Sequence, residues 1–243
     1  MQYRLDFLID LGLAILATSS ALVPLLVLYG DRQTVAGWTW PQALLVVGFF
    51  NVLRGILNSV IQPSLQAVVE HIRRGTLDFV LMKPADAQFL VSTARFEVRE
   101  VTDSLAGVGI IAYALSRLGE WPGPLGVAAA VLIVGCGVMI LYSIFILVVG
   151  LAFVWVKVDN LSYLFMSLFD AARWPASVFR GAMAWVFTFI LPLAVMTTFP
   201  ALAVMNRLTP AALAQALLVT AVFLTLSRVA WLQCLRRYTS AGG

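Results

Sequence analysis

From Leu125 to Val156 the chain runs for 32 residues without one charged side chain. The hydrocarbon core of a bilayer takes about 20 apolar residues in helical form. Inside it every backbone amide must bond within its own segment, so such a run folds as a spanning helix. This one is long enough to tilt or to project from the membrane. Residues 11–30, 41–67, 101–118 and 211–235 are further apolar runs of spanning length. Residues 1–10 lead into the first with helical spacing of Tyr3, Phe7 and Asp10, at the membrane surface. That run is longer than the core of a signal peptide and carries Asp6 and Asp10 before it, so no cleavable signal is expected.

Composition agrees. The chain is 61% hydrophobic and 12% charged, against about half and a quarter in soluble domains. Its 243 residues have room for about five to seven spans and no large soluble domain, so residues 1–243 read as one transmembrane domain. The net charge of +4 is no sign of a nucleic-acid partner, because the basic residues stand at the ends of apolar runs, where they anchor and orient helices against membrane lipid. Trp38 and Trp40 fit the same interfacial role. Cys136 and Cys234 read as small buried residues without a disulfide.

The second run carries a polar stripe. Asn51, Arg54, Asn58, Gln62 and Gln66 recur every three or four residues, on one helical face. A charge at membrane depth normally faces protein or water. Two readings are open: the stripe lines a cavity or subunit interface, or it hydrogen-bonds neighbouring helices.

Metal and catalytic chemistry have no foothold. There is no HExxH, no CxxC and no His pair, and the one His, His71, lies in a charged loop as a solvated or contact residue. No Ser–His–Asp set can be assembled around it. The chain has no GxxxxGK[ST] phosphate loop. Gly107-x-Gly109 and Gly135-x-Gly137 lie within apolar runs and read as close helix packing. No cofactor or metal is therefore expected in this chain.

The number of spans follows from parity. Residues 161–172 are apolar but short and end in Asp170 and Arg173, an i,i+3 pair; residues 182–205 are apolar but broken by Pro192 and Pro200. Counting 182–205 as a re-entrant pair of half-helices gives six spans and puts both termini on one side. That side then holds Arg4, Arg73, Arg74, Lys83, Arg95, Arg99, Lys157, Arg236 and Arg237; the other holds Arg32, Arg117, Arg173, Arg180 and Arg207. The richer side is cytoplasmic by the positive-inside rule. The expected fold is thus an all-α membrane protein of six transmembrane helices, with two short outer re-entrant half-helices between spans five and six.

The loop after span two is the most charged stretch of the chain. Its sequence Arg73-Arg74-Gly75-Thr76-Leu77-Asp78-Phe79-Val80-Leu81-Met82-Lys83-Pro84 resembles the R-x-G-x-L-D/E-x-x-L-x-x-P pattern of ABC-2 type permeases, the membrane subunits of one class of ATP-binding-cassette transporters. Residues 155–161, Phe189-Ile190-Leu191-Pro192 with Thr197-Thr198-Phe199-Pro200, and Leu235-Arg236-Arg237-Tyr238 resemble stretches of one bacterial six-span subfamily, in the same order. Members usually carry an amphipathic cytoplasmic helix before a YRxDFL segment. Here that segment opens the chain, so the helix is expected to be truncated or missing.

The resemblance implies a cytoplasmic coupling helix over residues 76–82 that docks on an ATPase. Gly75 would turn the chain into it and Thr76 would cap it. Leu77, Phe79, Val80 and Leu81 would be its apolar face, and Arg73, Arg74 and Asp78 would match charge on the partner. Lys83 and Pro84 end the motif. It also implies pairing with a second copy or a sister permease, with ATP and Mg bound by the ATPase subunits, in the bacterial inner membrane. The substrate expected is a hydrophobic or amphipathic compound, moved outward. The alternative is a stand-alone ion-coupled transporter or channel, for which the candidate carboxylates are Asp103 and Asp170.

Overall fold

The computed structural model describes residues 23, 25–30, 32–152 and 159–237. Most of the expected first span, much of the turn at 157–160 and the tail from residue 238 lie outside these. A short hairpin precedes the first long helix. Strands β1 (Thr34–Val35) and β2 (Trp38–Thr39) pair antiparallel, and Ala36 and Gly37 between them both take positive φ, 50° and 85°, the geometry of a type I′ turn. Trp38 is buried, and its indole N–H donates to Ser177 Oγ at 3.1 Å.

Helix α1 (Trp40–Arg73) follows at once. Pro41 enters its first turn, where no amide is needed, and the Gln42 side chain accepts from the Thr39 amide at 3.0 Å. At 34 residues it is about 50 Å long, so its Arg73 end reaches well past a 30 Å hydrocarbon layer. Pro63 cannot donate to the carbonyl of Ser59, four residues back. The helix widens into a π turn at Leu57–Ile61 just before it, and the Ser59 carbonyl accepts instead from the amide of Glu97 at 2.8 Å. Ser64 Oγ continues the seam, donating to the Arg95 carbonyl at 2.8 Å and accepting from its amide at 3.2 Å. A proline in α1 thus creates the acceptor that pins the following loop.

That loop contains two short helices, α2 (Asp78–Leu81) and α3 (Ala87–Ser92). Helix α4 (Val101–Leu118) then runs back along α1. Three glycines set the close approach. A Cβ on Gly107 would stand 2.7 Å from the Gly48 carbonyl and 2.7 Å from the Val52 amide, and one on Gly55 would meet the Ser104 amide at 2.5 Å. Ser104 Oγ closes the contact by donating to the Val52 carbonyl at 3.0 Å. The packing expected of the Gly-x-Gly pairs is half realised. Gly107 and Gly137 meet neighbours, whereas Gly109 and Gly135 face open space. Gly119, with φ 70°, ends α4.

Helix α5 (Pro124–Ala152) is central, with Ile133, Ile140, Leu141 and Ile146 fully buried. Helix α6 (Asp159–Phe169) packs on it and on α1 through aromatic rings: Phe145 against Phe165 at 5.0 Å and Phe50 against Phe169 at 5.2 Å. After a 3₁₀ turn at Asp170–Arg173 the chain reaches the hairpin, where Ser177 Oγ donates to the Ala36 carbonyl at 3.1 Å. Helices α7 (Ala182–Ile190) and α8 (Ala194–Val204) form a pair bent by 70°. Pro192 stands at the bend. Pro200 does not break the helix, contrary to expectation, because a π turn at Ala194–Thr198 precedes it as one precedes Pro63. Just past α8, Asn206 lies beside Gly126 at the start of α5. Helix α9 (Pro210–Arg237) closes the chain along α5.

Among the described residues four helices are long and apolar enough to cross a membrane, or five if α7 and α8 count as one span. Helices α4 and α9 have only 17% of their apolar windows buried, against 72% for α1, so they form the outer wall around α1 and α5. Neither Cys136, which is buried, nor Cys234, which is half-buried, is in a disulfide.

Candidate functional site

Two regions gather the polar chemistry: the turn beyond α1 and the stripe along it. The turn begins with a helix stop built on Gly75. The Thr76 amide donates to the His71 carbonyl at 2.9 Å and the Gly75 amide to that of Ile72 at 3.2 Å, which is the Schellman pattern, with Gly75 in the left-handed region at φ 65°. Thr76 does not cap the next helix. Its hydroxyl pairs with His71 Nδ1 at 2.8 Å, which ties His71 into the same stop, and α2 begins only at Asp78, with Leu77 before it making no side-chain cap.

Helix α2 is one turn long, shorter than the expected 76–82, and its faces are sharply divided. Leu77 is fully buried, so it anchors the turn in the core and is no part of an outer face. Phe79 is 67% and Met82 71% exposed; Val80 and Leu81 are half-buried. Arg73, Arg74, Lys83 and Pro84 are exposed, Asp78 is half-buried, and Arg74 pairs with Glu70 one helical turn back. The turn therefore offers two large apolar side chains within a basic rim.

Helix α3, unremarked in the sequence, ties this loop to the distant helices. Asp86 caps it, accepting from the Phe89 amide at 3.1 Å, and the same carboxylate takes both terminal nitrogens of Arg228 in α9, at 2.6 and 3.2 Å. Bonding to Arg228 first and to the Phe89 amide next holds the Asp86 carboxyl below the usual carboxylate range. Gln88, buried, accepts from Arg228 at 2.8 Å and donates to the Tyr142 hydroxyl of α5 at 3.0 Å, which also meets Ser92 Oγ at 2.8 Å. The sequence reading passed over both; Asp86 could have been read as a cap and Arg228 as a lone charge in an apolar run, but nothing in the sequence points to their pairing across 142 residues.

The stripe is brought together as one face of α1. Asn51 is buried, and Arg54, Asn58 and Gln62 are half-buried. Arg54 lies 3.9 Å from Asp170, which pairs more closely with Arg173, at 3.1 Å. Both guanidinium groups stand over the Phe50 ring, at 6.0 and 5.4 Å. Asn51 Nδ2, Arg54 Nε and Asn58 Oδ1 are buried without a hydrogen-bond partner among the described residues. Unpaired polar atoms are costly at membrane depth, so these three call for partners beyond the described residues. Lower down, Asn58, Gln62 and Gln66 line a cleft of about 300 Å³ with Glu97, Glu100 and Met166. An adjoining cleft of about 390 Å³ is lined by Gln62, Gln66, Glu70, Arg73, Tyr163 and Met166 among others. The stripe thus leads from Arg54 to the mouth of the loop.

Comparison with curated proteins and with solved structures returned no match. A family model does match, that of the ABC-2 family transporter protein, over residues 15–242. The match takes in the apolar helices, the bent pair and the loop after α1 alike. The chain belongs to this family, and it is an integral membrane protein of the ABC-2 permease type.

Proposed function

We propose that this permease is the transmembrane subunit of an ATP-binding-cassette exporter, driven by ATP hydrolysed on a separate subunit. The turn beyond α1 carries the reading. Phe79 and Met82 stand exposed on a turn anchored by buried Leu77, beyond the end of a helix that outreaches the membrane. Large apolar side chains held rigidly in a charged rim suit a groove on a protein. The chain has no phosphate loop of its own, so ATP and Mg belong to the partner. When the partner closes around ATP it displaces the turn, and α1, one continuous rod, carries that displacement to the stripe. Inward- and outward-open populations shift accordingly.

Six spans suit this role: residues 11–30, α1, α4, α5, the α6 segment, and α9. Helices α7 and α8 then dip in from the outer face. Support comes from both ends of the pair, since Ser177 before it bonds to the β1–β2 turn and Asn206 after it lies at the α4–α5 turn. Both termini then lie in the cytoplasm of a bacterial cell and the protein in its inner membrane. The atoms of the stripe that lack a partner among the described residues face a second copy or a sister permease, across a cavity for a hydrophobic or amphipathic compound such as a drug, lipid or glycolipid. The ion-coupled alternative loses ground on Asp170, whose carboxylate is held by Arg173. Reconstituting the permease with and without an ATP-binding-cassette ATPase subunit from the same cell tests the proposal. Movement of an amphipathic dye only with that ATPase and ATP supports it; ATP-independent movement overturns it.

A further inference from the structure

We propose that Asp86, Gln88, Ser92, Tyr142 and Arg228 form a joint that transmits motion of the docking turn into α5 and α9, making them positioning residues for coupling. The inference rests on the permease reading above and deepens it. A turn that touched only α1 would move one helix. Here the loop is attached at two further points. One is the Asp86 carboxylate, bonded to both terminal nitrogens of Arg228 in α9. The other is the Tyr142 hydroxyl of α5, which takes Gln88 at 3.0 Å and Ser92 at 2.8 Å.

Gln88 closes the arrangement. Its carbonyl oxygen accepts from Arg228 and its amide nitrogen donates to Tyr142, so one buried side chain bridges both helices. The bidentate Arg–carboxylate pair fixes direction as well as distance. Helix α3 is six residues long and capped by the same Asp86 that grips Arg228. Pushing the turn at Phe79 and Met82 displaces α3 as a unit, and the bonds to Arg228 and Tyr142 carry that displacement into α9 and α5. Those two helices pack along each other, so the loop acts on the central and outer walls together. Side chains that lock a moving element to two others couple strongly.

The test uses the permease with its ATPase in lipid nanodiscs, with Cys136 and Cys234 replaced and a single reporter cysteine at Gln66 in the cleft. The rate of maleimide labelling is read with and without ATP, alongside thermal midpoint and the amount of ATPase retained. Asp86→Arg and Arg228→Asp singly are expected to cut the ATP-dependent change in labelling about tenfold, and the double exchange to restore most of it. Tyr142→Phe, which keeps the ring in the packing, is expected to reduce the change with the midpoint and retained ATPase near wild type. Unchanged ATP response in Tyr142→Phe and in the folded single exchanges overturns the joint and leaves the permease reading standing. No ATP response in the unaltered complex overturns the permease reading itself.

Discussion

Leu77 and Phe79 lie two residues apart on one helical turn, the first fully buried and the second 67% exposed. This division separates holding the turn from using it. Leu77→Ala empties a core site and is expected to cost about 2–5 kcal/mol. Phe79→Ala touches no core contact and is expected to change stability by less than about 0.5 kcal/mol. Denaturant unfolding of the purified permease reads both, and equal losses would contradict the division.

Gly107 and Gly109 give a second contrast. A methyl on Gly107 meets the α1 backbone at 2.7 Å, while one on Gly109 meets nothing within 4 Å. Gly107→Ala is expected to lower the thermal midpoint strongly and Gly109→Ala to leave it unchanged or raise it slightly, since alanine is the better helix former by about 1 kcal/mol. A harmless Gly107→Ala would mean that α1 and α4 do not pack this closely.

How much of this was legible follows from the kind of signal. The limits of α4 were readable because Gly119 stops the helix and charges stand before Val101. The bend at Pro192 was readable, as proline removes an amide and clashes with the preceding turn. The passage through Pro200 was not, since a π turn leaves no mark in the residues that form it. Nor was the burial of Leu77. In a one-turn helix nothing in the spacing says which leucine faces inward. The stripe was legible in full as one face, but not that Asn51 Nδ2, Arg54 Nε and Asn58 Oδ1 find no hydrogen-bond partner among the described residues, which depends on neighbours far along the chain.

Arg54 is the charge in that stripe. Asp170 keeps its closer partner Arg173 when Arg54 is removed. Arg54→Leu is therefore expected to leave insertion unchanged and folding stability within about 1 kcal/mol of wild type while changing dye selectivity in reconstituted vesicles. A fall in folded protein with unchanged selectivity would make Arg54 a structural residue.

Asp86 carries a pH dependence of defined sign. Its carboxyl titrates below the ordinary 3.8 in the folded protein. A depressed folded value adds stability in full above the unfolded value, and this is lost as pH falls through the folded one. The difference in thermal midpoint between wild type and Asp86→Asn is expected to hold steady from about pH 7 to about pH 5 and to shrink only below the unfolded value. A difference that vanished by about pH 6 would show that Arg228 does not hold the carboxylate.

The most direct measurement is ATPase capture by the turn. Permease carrying Phe79→Glu and Met82→Glu, both at exposed positions, is co-expressed with an ATP-binding-cassette ATPase subunit from the same cell and purified through a tag on the permease. Normal insertion and thermal midpoint with at least about a tenfold loss of bound ATPase is the expected result, since a few central apolar side chains dominate such contacts. Full ATPase capture by the folded double variant would contradict the docking role of this turn.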